Sequence, residues 1–91
     1  MQLELPDPDV TARKWATRTR ALANRAVCDD QEMALTVAAV QFDSAAQFLE
    51  HGDAEKARDA LRVASNYADS EEASAPRIAE AARTLLAAIP A

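Results

Sequence analysis

Met33-Ala34-Leu35-Thr36-Val37-Ala38-Ala39-Val40-Gln41-Phe42 is apolar nearly all the way round a helix. Ten residues are too few to span a bilayer, which takes about twenty. A helix of this kind is normally enclosed by other helices. The stretch therefore predicts the centre of a helical domain. Upstream, Asp29 and Glu32 form a D-x-x-E capping signal that starts this second helix. Downstream the pattern turns amphipathic, with Ala45, Phe48 and Leu49 as anchors. Gly52 suits a left-handed cap and Asp53 suits the start of the next helix. A turn that short forces an antiparallel hairpin.

Further out the same periodicity continues. In the third helix Ala57, Ala60, Leu61, Ala64 and Ala68 make an inner stripe, broadened by Val63 and Tyr67. Ser70 to Pro76 reads as a linker, with Pro76 in the first turn of a fourth helix. There Ile78, Ala82, Leu85 and Ile89 share one face, flanked by Ala79 and Leu86, and Pro90 ends it. Before the quoted stretch, Asp7-Pro8-Asp9 opens a first helix that should run to about Cys28. Its apolar series is Ala12, Trp15, Ala16, Thr19, Leu22, Ala23 and Ala26. Residues 1–6 read as an extended N-terminal segment, with Leu3 and Leu5 on one side. Residues 7–91 read as a single helical domain.

Composition agrees. The chain has 91 residues, 49% hydrophobic and 27% charged, with one Gly. One glycine is too few for an all-β fold with several tight turns. Alanine dominates, which favours helices and close approach of their axes. The larger apolar residues number about twenty, a thin core that a partner or self-association would complete. The single cysteine excludes an intrachain disulfide and fits a reducing cytoplasm. No apolar run has transmembrane length and the N-terminus lacks signal-peptide character, so no membrane association is expected. Arg in preference to Lys, with abundant Ala and Asp, suggests a GC-rich bacterial genome.

The net charge of −5 disfavours nucleic acid as a partner. The charges are unevenly placed. Arg13, Lys14, Arg18, Arg20 and Arg25 lie between Val10 and Cys28 with no carboxylate, whereas twelve acids face five bases from Asp29 onward. Two readings follow: neighbouring helices complement one another, or the basic face docks an acidic partner. Trp15 bears on the choice, because Arg18 lies one turn away and can form a cation–π contact. Buried, Trp15 is a core aromatic. Partly exposed, with Arg18, it makes a binding hot spot.

Gln41 to Asp69 resembles one tetratricopeptide repeat. Ala45, Phe48, Gly52, Ala57, Leu61 and Ala64 fall at that family's offsets, and Phe48-Leu49-Glu50-His51-Gly52-Asp53-Ala54-Glu55-Lys56-Ala57 looks like its inter-helix turn. Gln41 stands where a large aromatic is common, Asp69 where proline is common, and no second copy follows. The resemblance implies a protein-interaction role through a helical groove. The expected fold is thus an all-α, compact four-helix bundle containing a repeat-like antiparallel hairpin.

Motifs for chemistry are sparse. His51, the only histidine, has Glu50, Asp53 and Glu55 nearby but no second His or thiolate pair, so no metal site is expected. Its place at a helix end suits the dipole. Histidine-phosphotransfer domains are similar in size and class, but their phosphorylated His lies mid-helix, followed closely by a Lys. Here Gly52 follows His51 directly. Cys28 sits beside Asp29 and Asp30, which disfavour a thiolate, so it reads as a buried or half-buried structural residue. No glycine-rich phosphate loop exists. The expectation is a non-catalytic, cytoplasmic protein-interaction module without cofactors. Its partner is another protein, or a second copy in a homodimer, met by Trp15, Arg18 and Arg25. The alternatives are a small acidic inhibitor of the antitoxin, immunity or phage-encoded type, and a phosphotransfer protein or enzyme using His51.

Overall fold

Four helices account for most of residues 7–90, the part of the chain described by the computed structural model. They are α1 (Pro8–Asn24), α2 (Asp29–Glu50), α3 (Ala54–Ala68) and α4 (Pro76–Ala88), and they form an all-α four-helix bundle with no strand among the described residues. The segment expected to be extended at 1–6 lies outside those residues.

Local signals explain most boundaries. Pro8 opens α1 and Pro76 opens α4, where a missing N–H costs nothing. Gly52 adopts φ 77°, the left-handed conformation expected of a helix stop. The Asp53 amide then donates to the Phe48 carbonyl at 2.8 Å, and the Asp53 carboxylate accepts from the Lys56 amide at 3.1 Å. These bonds close the α2–α3 hairpin within three residues.

Elsewhere the chain departs from its local signals. Helix α1 stops at Asn24, four residues short of Cys28, in a tightened last turn where the Ala26 amide donates to Ala23. Extended backbone at Cys28 redirects the chain, so Cys28 and not Asp29 is the N-cap of α2. Asp29, Asp30 and Glu32 instead occupy the first turn and oppose the helix dipole. Gln31 reaches back to accept the Val27 amide at 3.0 Å. Cys28 is exposed, not buried, because it lies in this surface turn.

The core is built mostly of alanine. Ala12, Ala16, Ala45, Ala46, Ala57, Ala64, Ala68, Ala79 and Ala82 are wholly enclosed, and Phe42 and Leu61 are the largest apolar side chains with no exposure. Thr19 is also sealed in, its hydroxyl donating to the Trp15 carbonyl at 2.6 Å. That bond removes the penalty of an unpaired buried hydroxyl. Each helix packs chiefly on the next in sequence, while α1 and α4 touch only lightly. The molecule is accordingly flat, 43 × 29 × 17 Å.

That flatness corrects the expectation for Met33–Phe42. Helix α2 packs mainly on α1 and α3, and α4 does not close over its outer side. Ala34, Leu35, Ala38, Ala39 and Phe42 face inward, but Met33 is 64% exposed and Val40 44%. Tyr67 likewise stays 42% exposed, and Ser65 takes the inner position beside Ala64.

Truncating Phe42 to alanine should lower the unfolding free energy by about 3–5 kcal/mol, a loss typical of an enclosed aromatic. Val40→Ala on the same helix should cost about 1 kcal/mol or less, as exposed substitutions do. Denaturant unfolding of the two variants reads the difference; equal losses would contradict the one-sided burial of α2. Gly52→Ala should cost about 1 kcal/mol from backbone strain alone, since an added Cβ meets nothing within 4 Å.

Candidate functional site

Residues seven apart share a line along a helix, because two turns take 7.2 residues. On α1 this divides the arginines into two sets. Arg13 and Arg20 face α2: the Arg13 Nε donates to Glu50 Oε1 at 3.0 Å, and Arg20 pairs with Asp43 at 2.6 Å. Hydrogen bonding to Glu50 raises the Arg13 guanidinium above its ordinary value. Both pairs are substantially exposed, so they orient the antiparallel helices more than they stabilise them. Arg18 and Arg25 lie on another line. The Arg18 guanidinium sits 5.0 Å from the centroid of the Trp15 ring, and Trp15 is half-buried against the main core.

The second line borders a groove of ≈ 750 Å³. Its walls come from the latter half of α1, the start of α2, and the connection leading into α4. Trp15, Leu22, Leu35 and Ile78 supply the larger apolar surface, with Arg18, Arg25 and Arg77 at exposed positions around it. Beneath lies a small separate cluster of Ala23, Ala34, Leu35 and Ala73. Alanines and one leucine supply too little volume to fill the space between three elements, and the groove is what remains.

The α3–α4 connection is shaped for this role. The Ala75 amide donates to the Ala68 carbonyl at 2.9 Å and the Ser74 amide to Ser70 at 2.9 Å. These bonds turn Ala73 inward to 3% exposure and hold Ser74 at φ 46°, a conformation that side chains rarely adopt. Helix α4 therefore begins at the groove wall. Its N-cap, Ala75, makes no side-chain capping bond. The Arg77 and Ile78 amides belong to the first turn, which has no intrahelical acceptors, so positive potential from the helix end adds to that of the arginines.

Among the described residues the ion pairs involve Arg13, Arg20, Lys56, Arg62 and Arg83, and none involves Arg18, Arg25 or Arg77. The structure thus gathers all three residues singled out in the sequence, Trp15, Arg18 and Arg25, into one concave surface. It adds Arg77, Leu35 and Leu22. The i, i+7 spacing of Arg18 and Arg25 was a usable signal for their shared line. Nothing local indicated Arg77, because its position depends on the path of residues 69–75.

Two other residues singled out by type lie apart. His51 is exposed at the end of α2, where its Nδ1–H donates to the Gln47 carbonyl at 2.7 Å. Cys28 lies in the α1–α2 turn. Among the described residues no three His, Cys, Asp or Glu side chains are grouped to hold a metal ion, and no helix is long and apolar enough to cross a membrane. The chain matches no family model, no curated protein and no solved structure.

Arginines that form no ion pair among the described residues are expected to contribute little to stability. Arg25→Ala and Arg77→Ala should each shift the unfolding free energy by less than about 0.5 kcal/mol. Thermal unfolding followed by circular dichroism reads this. A loss above about 2 kcal/mol would make them structural and remove the case for a surface kept for binding.

Proposed function

We propose that the chain is a small non-catalytic protein-interaction module whose groove receives an acidic, amphipathic segment of a protein partner. One observation carries the reading: three arginines that form no ion pair among the described residues surround an apolar wall that includes Trp15. Tryptophan and arginine dominate the energetics of protein interfaces, because each couples large contact area to a directional polar group. A desolvated apolar anchor beside Trp15 and Leu22 would supply affinity, and carboxylates facing Arg18, Arg25 and Arg77 would supply register and rate. The likeness of Gln41–Asp69 to a tetratricopeptide repeat supports a protein-interaction role in general, while the groove itself is lined by residues outside that segment. An exposed thiol with no second cysteine in the chain suits a reducing compartment, so we place the protein in the cytoplasm.

The chain has one tryptophan, so its fluorescence reports on the groove directly. Titration with a helical peptide of alternating leucine and glutamate pairs should shift Trp15 emission, while the lysine counterpart should not. Arg25→Ala combined with Arg77→Ala should weaken peptide binding by about tenfold or more, as loss of charge-assisted contacts does. Raising salt from about 50 to about 500 mM should weaken it further, because the Debye length contracts severalfold. Equal binding of both peptides, or affinity indifferent to the arginines, would dismiss the proposal.

A further inference from the structure

We infer that the chain presents a ligand for its own groove: the start of α2 in one copy docks in the groove of the next. The inference rests on the reading of the groove given above and names a partner for it. Asp29, Asp30 and Glu32 are exposed in the first turn of α2, and none takes part in an ion pair among the described residues. Beside them Met33, Thr36, Val37 and Val40 follow one another at helical spacing along the outer side of α2. Asp29, Glu32, Met33, Thr36 and Val37 border a shallow hollow of ≈ 320 Å³. An apolar strip fringed by three carboxylates is the chemical complement of an apolar groove fringed by three guanidiniums.

The strip cannot fill the groove of its own chain. Gln31 and Leu35 already form part of that groove's wall. Met33 follows Gln31 by two residues, a rotation of about 200° on a helix, so it faces away from the groove while sharing its helix. Contact therefore requires a second copy. The two surfaces are different patches, so the interface is heterologous. Each added copy leaves one groove and one strip free, which gives head-to-tail chains or a closed ring and not a simple symmetric pair.

Charge reversal in the full chain tests this. Arg25→Glu with Arg77→Glu disables the groove and keeps the strip; Glu32→Arg with Met33→Arg disables the strip and keeps the groove. All four positions are exposed, and far-UV circular dichroism checks that both variants remain helical. In sedimentation at low salt, the unaltered chain should exceed two copies as concentration rises, and each variant should stay at its 9.8 kDa monomer mass. An equimolar mixture should then form a species of two chains and no larger, because one intact groove meets one intact strip.

An unaltered chain that remains monomeric at millimolar concentration would overturn the inference, as would a mixture that stays monomeric or variants that still assemble alone. Trp15 fluorescence separates the two proposals. A monomeric chain that binds the acidic peptide loses only self-docking, and one that neither assembles nor binds the peptide loses both.

Discussion

Alanine at the inner faces of the helices is the constraint on which the structure depends. Buried alanines on all four helices let the axes approach closely, and close approach gives backbone and methyl groups dispersion contacts that bulkier side chains would hold apart. Each alanine contributes little hydrophobic area, so fit between faces replaces bulk. The larger buried side chains, Leu35, Phe42, Leu61, Ile78, Leu85 and Ile89, carry a disproportionate share of the apolar burial, with Phe42 and Leu61 fully enclosed. Such a core is thin, and it covers only one side of α2.

The same economy of volume creates the groove. Where α1, α2 and the α3–α4 connection converge, the chain supplies Ala23, Ala34, Leu35 and Ala73. These seal the bottom but leave Trp15 and Leu22 partly unopposed along the sides. Electrostatics then separates structural from available charge. Glu50 and Asp43 engage Arg13 and Arg20 across the α1–α2 seam. Arg18 and Arg25, facing away from that seam, form no ion pair among the described residues. Complementarity between neighbouring helices and an unsatisfied basic surface are therefore both present, on different lines of one helix.

Much of the architecture was legible residue by residue. Pro8, Gly52, Asp53 and Pro76 act through backbone geometry over a few residues, and the boundaries they signal are found where their chemistry puts them. The stripe Ala57, Ala60, Leu61, Ala64 and Ala68 is buried throughout. The acidic start of α2 misled by one residue, because aspartate can either cap a helix or oppose its dipole from the first turn. Cys28 misled because residue type speaks to average burial, while its own position is decided by a turn.

Sequence alone determined where helices form and which faces are apolar, since both depend on contacts within about one turn of chain. It could not determine which apolar faces are covered. Met33 and Leu35 are alike in chemistry and two residues apart, yet one lies 64% exposed and the other 3%. Only the placement of α1, α3 and α4 makes that distinction. The groove is likewise a tertiary product: it joins Trp15 to Arg77 across some sixty residues, through a connection whose hydrogen bonds exist only once α3 and α4 have packed.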